Sequence, residues 1–122
     1  MPARPVIGNP CECDAGWYEL IADLIRELIQ AGWTREISQI KEKFGGLRFY
    51  ASGLPENGHE IIKRYEERAL KTCEICGSEY KVKLRGYRWV KTLCHNCAGP
   101  WLERHYCFKL RWIYGDLYDS NL

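Results

Sequence analysis

The 122-residue chain has no run of 18 apolar residues, so no transmembrane helix is expected. Its first residues, Met1-Pro2-Ala3-Arg4-Pro5, lack the apolar core of a secretory signal. No repeat and no low-complexity tract interrupts the sequence. Seven cysteines cannot all pair, which argues against a disulfide scaffold and for a reducing, cytoplasmic setting. Hydrophobic residues make up 46% and charged residues 28%, the balance of a chain that folds as one small domain and stays in solution.

Two Cys-x-x-Cys pairs dominate what remains. Cys73-Glu74-Ile75-Cys76 and Cys94-His95-Asn96-Cys97 are separated by 17 residues, enough for a hairpin that brings two tight turns together. Four thiolates suit the tetrahedral preference of Zn²⁺, and the spacing lies within the range of Cys₄ zinc sites. One structural Zn²⁺ on Cys73, Cys76, Cys94 and Cys97 is the expectation, against two disulfides or four unrelated buried thiols. Cys11 and Cys13 form a weaker Cys-x-Cys pattern. With Cys107 and His59 they would make a second site, or they are free thiols. His95 inside the second pair is a less simple ligand than a fourth sulfur, and His105 reads as a helix residue.

The net charge of +2 is unevenly spread. Residues 14–31 carry Asp14, Glu19, Asp23 and Glu27 against Arg26. Residues 72–112 carry eight Lys/Arg against three Glu. That asymmetry suits an anionic partner, although a solvated basic face explains it as well.

Residues 1–13, with three prolines, read as an irregular arm. Asp14 reads as an N-cap, followed by Trp17, Leu20, Ile21, Leu24, Ile25, Leu28 and Ile29 at helical spacing and a stop at Gly32, giving a core helix over 15–31. Gly45-Gly46 reads as a hairpin turn between Ile37–Phe44 and Leu47–Ala51, although Ile37, Ile40 and Phe44 equally fit a helical stripe on the first arm. Residues 59–71 read as a short helix. Tyr80–Leu84 and Tyr87–Lys91 read as two ribbon strands turning at Arg85-Gly86, with Lys81, Lys83 and Arg85 on one side. Pro100 fits the first position of a C-terminal helix that runs to Gly115. The expected fold class is α+β: an arm over 1–13, a core of helix, β-hairpin and short helix over 14–71, and a Cys₄ zinc ribbon plus helix over 72–115, packed as one domain.

Four stretches together resemble a family of small uncharacterised proteins of bacteriophages and prophages. They are Cys11–Trp17, the block Gln39-Ile40-Lys41-Glu42-Lys43-Phe44-Gly45-Gly46-Leu47-Arg48-Phe49-Tyr50, Thr72–Gly77 and Thr92–Cys97. The block around Gly45-Gly46 is the most specific of them. The resemblance implies a phage origin and host-cell location, and no activity. By analogy of setting it favours a binding protein that acts on a host protein, such as an inhibitor of host defence.

Five Trp and eight Tyr supply interface anchors for a protein partner, or core. The alternative partner is nucleic acid, met by Lys81, Lys83, Arg85, Arg88 and Lys91 interleaved with Tyr80, Tyr87 and Trp89. Catalysis is not expected. Leu93–Cys97 resembles the cysteine-framed end of His-Asn-His nucleases, yet residues 77–93 contain neither His nor Asp to act as a general base, and four thiolates leave no position for water.

Overall fold

A computed structural model describes residues 11–34, 36–87 and 89–105. The fold is α+β, with three α-helices, a three-stranded sheet and a two-stranded sheet among the described residues. A 3-10 turn, Ala15–Trp17, leads into helix α1, Tyr18–Gln30. Leu20, Ile21, Leu24 and Leu28 recur every three to four residues on α1 and are all buried, as the apolar spacing requires. The helix stops at Gly32, whose φ of +107° only glycine adopts without strain. The Gly32 N–H donates to Ile29 O and the Trp33 N–H to Leu28 O, closing the last turn. Asp14 precedes the turn in an extended conformation, and its side chain makes no capping bond.

Strands β1 (Cys11–Glu12), β2 (Glu36–Lys43) and β3 (Gly46–Ser52) form the larger sheet in that order. β1 runs parallel to β2, and β2 antiparallel to β3. The hairpin is as expected, but its turn is shifted by one residue. Lys43 pairs with Gly46, so the two turn residues are Phe44 and Gly45, at φ +54° and +82°. Two positive φ angles match the right-handed twist of the strands. Gly46 is therefore a strand residue, and the positive φ expected there falls on Phe44. The Glu42 carboxylate accepts the Gly45 N–H at 2.6 Å and fastens the turn. Ile40, Leu47 and Phe49 point inward to meet α1 and helix α2, Gly58–Ala69, which buries Ile61, Ile62, Tyr65 and Ala69.

Strands β4 (Lys83–Tyr87) and β5 (Trp89–Leu93) make the ribbon hairpin. Here too the register corrects the sequence reading. Tyr87 pairs with Trp89, which places the reversal at residue 88, while Arg85 and Gly86 lie within β4. Helix α3, His95–His105, begins inside the second cysteine pair, and Pro100 sits within it and not at its first position. The reason is local: Cys94 O accepts the Ala98 N–H, so the Cys-x-x-Cys turn is itself the first helical turn. The irregular arm expected over 1–13 is corrected at its end, where Cys11 and Glu12 pair with Ile40 and Lys41 as strand β1. Residues 1–10, and the expected helix residues Tyr106, Phe108, Trp112 and Ile113 with their stop at Gly115, lie outside the described residues.

Two buried clusters result. The larger joins Trp17, α1, the β2–β3 hairpin and α2, and the smaller joins Cys73, Leu93, Cys94, Trp101 and Leu102. Several contacts tie them together, and three of them run through backbone groups directly. Trp17 Nε1 donates to Thr72 O at 2.8 Å, the Gly16 N–H to Glu74 O at 2.7 Å, and Thr92 Oγ1 to Gly45 O at 2.5 Å. The hairpin turn and the segment ahead of α1 thus dock directly on the cysteine module.

Candidate metal centre

Cys73 and Cys76 follow α2 on a turn whose Gly77, at φ +84°, lets its N–H return to Cys73 O at 2.9 Å. Cys94 and Cys97 lie one helical turn apart at the start of α3, so both sulfurs point the same way. The β4–β5 hairpin carries one turn to the other, with the Glu74 N–H donating to Thr92 O at 3.0 Å. The four sulfurs all lie within 4.8 Å of one another, and Cys76 Sγ is 3.7 Å from Cys94 Sγ. A tetrahedral ion bound at about 2.3 Å by each thiolate needs sulfurs about 3.8 Å apart. The four cysteines fit that requirement and could hold a metal ion.

The electrostatics of the cluster match such a role. Partial desolvation is the first cause pushing both the exposed Cys76 thiol and the half-buried Cys97 thiol up, since a thiolate drawn out of water without a cation is costly. Burial also opposes ionisation of Cys94, but the Cys97 backbone amide and the neighbouring thiols outweigh it and hold Cys94 below the usual thiol range. A divalent cation among the four sulfurs would favour the thiolate form of each. His95 does not join them. Its ring meets the edge of Tyr80 at a centroid distance of 6.2 Å.

Beside the cluster lies an ion pair that the sequence reading missed. Lys91 Nζ sits 2.8 Å from Asp14 Oδ2 and 3.1 Å from Glu74 Oε1, and the Asp14 N–H donates to Glu74 Oε2 at 3.1 Å. Glu74, inside the first knuckle, is almost wholly buried, and burial pushes its carboxyl up despite Lys91. An acid between two ligand cysteines, with another directly after Cys-x-Cys, was the available signal. Changing Lys91 to Met should cost about 2 kcal/mol, less than a stranded buried anion would, because Glu74 can take up a proton. A carboxyl whose folded pKa lies above its unfolded one binds protons more tightly when folded, so lower pH favours the fold. The penalty measured by urea melts should therefore be smaller in mildly acidic buffer than at neutral pH. A penalty independent of pH would contradict this.

Two of the five cations predicted for the ribbon, Arg85 and Lys91, are engaged within the fold. Arg85, only 2% exposed, donates from Nε to Leu93 O at 3.1 Å and from Nη2 to Lys81 O at 2.6 Å. It is a strut of the hairpin and not a surface cation, because strand alternation turns it toward the cysteine module. Lys91, 13% exposed, is held by the carboxylates just described. Lys81 lies outside the strand, its Nζ 5.3 Å from the centre of the Tyr80 ring, and Lys83 is half-buried in β4. Arg88 and the Tyr87 side chain lie outside the described residues.

Trp89 is 54% exposed and edge-on to Trp101 and His105, at centroid distances of 5.5 and 4.8 Å. Trp17, Trp33 and Trp101 are core. Cys11 Sγ and Cys13 Sγ approach to 2.9 Å, but among the described residues no third donor completes a metal group with them, and His59 sits at the start of α2. Cys107 lies outside the described residues. Among the described residues no helix is long and apolar enough to cross a membrane.

Comparison with known proteins finds no matching family model, no matching curated protein and no matching solved structure.

Proposed function

We propose that the four cysteines bind one structural Zn²⁺ and that the chain acts by association, as a phage-derived binding protein for a host protein. Zinc is favoured over other thiophilic ions because it has no redox chemistry and no geometric demand beyond the tetrahedron that these turns offer. Four sulfurs fill its shell and leave no place for a reacting water, so the ion's role is to hold the ribbon together.

The observation that carries the binding role is Trp89. A large ring more than half exposed at the end of the ribbon hairpin, held in place by Trp101 and His105, is the kind of pre-ordered aromatic that anchors protein interfaces. The ribbon offers a nucleic acid fewer cations than the sequence suggested, since Arg85 and Lys91 are engaged within the fold. An anti-defence role follows from the phage resemblance and the same mode of action.

The test is recovery of a stoichiometric protein on the immobilised, zinc-loaded chain from nuclease-treated bacterial lysate. Changing Trp89 to Ala should lower that recovery at least tenfold while zinc content stays at one per chain. Recovery that vanishes with nuclease, or that ignores the Trp89 change, would refute the reading.

A further inference from the structure

We propose that the outer face of the β2–β3 hairpin binds single-stranded nucleic acid, at a site separate from the ribbon. The argument begins with what the fold leaves unexplained in the block from Gln39 to Tyr50. Ile40, Leu47 and Phe49 are core, Gly45 meets Thr92, and Glu42 fastens the turn. Lys41, Lys43, Phe44, Arg48 and Tyr50 have no such duty. The register groups Lys41, Lys43, Arg48 and Tyr50, and Phe44 at the turn lies under Lys43 Nζ. Lys41 pairs with Arg48 and Gln39 with Tyr50, so these side chains share one face, and Lys43 follows two residues beyond Lys41 on the same side.

Two features of this face cost stability locally. Like charges directly opposite on paired strands repel, as Lys41 and Arg48 do. Phe44 holds φ at +54° although a bulky side chain disfavours that region, and it does so with its ring 74% exposed, so burial returns little. Among the described residues none of the three cations forms an ion pair with a carboxylate. Arg48 donates only to the carbonyl of Leu47 beside it. Glu12, in register with Lys41 on β1, accepts from Gln39 Nε2 and bounds the positive face on that side.

The aromatics decide the class of ligand. Lys41 Nζ lies 6.0 Å from the centre of the Tyr50 ring, which is 44% exposed, and Lys43 Nζ lies 5.8 Å from the centre of Phe44. Exposed rings, each with a cation over it, serve a chain that carries phosphates and unstacked bases together. A duplex keeps its base faces inside the stack and could use only the charges. Single-stranded DNA or RNA uses both.

The test is fluorescence anisotropy with the full, zinc-loaded chain and labelled oligothymidylate or oligouridylate of about 16 nucleotides, the upper end of site sizes for small folds. A duplex of equal length and polyglutamate serve as comparison ligands. Single strands should bind, more weakly as salt rises. Changing Lys41, Lys43 and Arg48 together to Ala should lower affinity at least tenfold and flatten the salt dependence. Changing Lys81 and Lys83 to Ala should leave both unaltered. The sharpest variant is Phe44→Gly, which removes the stacking ring and relieves the backbone. It should bind roughly tenfold more weakly while melting no lower than the parent protein, a split that a purely structural Phe44 would not produce. The proposal is overturned if single strands show no salt-dependent binding, if the ribbon variant alone loses it, or if duplex or polyglutamate binds equally well. None of these outcomes bears on the protein partner of Trp89, which is recovered after nuclease treatment.

Discussion

Replacing Cys76 or Cys94 by Ser is expected to abolish the proposed zinc binding and unfold the ribbon. Structural zinc sites in small peptides contribute about 10–16 kcal/mol of binding free energy, all of it linked to folding. A domain of this size has a total margin of about 5–15 kcal/mol. Losing one of four thiolates therefore takes away a quantity comparable to the whole stability of the fold. Cys94 is the more damaging position, because it is wholly buried and its carbonyl also starts α3, whereas Cys76 is exposed. Elemental analysis should give one zinc per native chain and a strongly reduced content in either variant, with the melting temperature falling in parallel. A strong chelator should reproduce the effect in the unaltered protein. Native protein that purifies without zinc, or a Ser variant that melts normally, would end the metal assignment.

The second large effect is expected at Gly16, where local and tertiary arguments predict opposite signs. Gly16 lies in a 3-10 turn with no positive φ, so on backbone entropy alone an alanine should stabilise the chain slightly. The packing reverses this. A Cβ on Gly16 would stand 2.3 Å from Cys73 O and 2.4 Å from Glu74 O, and both are backbone atoms that cannot rotate away. Either the turn before α1 or the first knuckle must move, and each is tied to the other by the Gly16–Glu74 and Trp17–Thr72 bonds. Gly16→Ala should lose about 3 kcal/mol, the upper end for inserting a methyl into a closed contact. Zinc should also exchange faster, since Cys73 carries the displaced carbonyl. Gly99→Ala in α3, where a Cβ meets nothing within 4 Å, is the control and should be neutral or better in the same denaturation series. A neutral Gly16→Ala would mean that the two modules are not docked as described.

The elements that could be read along the chain were those whose signal is local. The α1 stripe from Leu20 to Leu28 repeats often enough to leave one reading, and Gly32 ends it by backbone geometry. The two Cys-x-x-Cys turns announced the four-cysteine cluster because ligand spacing is itself a short-range constraint. Misplaced features were short-range patterns with two registers. Gly45-Gly46 contains a suitable glycine for either position of the turn, and the choice of Phe44-Gly45 follows from Lys43 pairing with Gly46. Arg85-Gly86 looked like a turn because it holds a glycine, yet the ribbon pairs around residue 88.

Composition and spacing determined that this is a small α+β chain with a core helix, a hairpin and a four-cysteine cluster. They could not determine which charges face water. Arg85 and Lys91 were indistinguishable from Lys41, Lys43 and Arg48 as letters, since a cation's role depends on what the folded chain places opposite it. Tertiary structure put Leu93 O and Lys81 O around Arg85, and Asp14 and Glu74 around Lys91, contacts that span from 4 to 77 residues. It set no such partners among the described residues against the cations of the β2–β3 face. Burial and pairing are properties of distance in space: the folding of the ribbon closed the contacts of Arg85, and the docking of the segment around Gly16 on it brought Asp14 to Lys91.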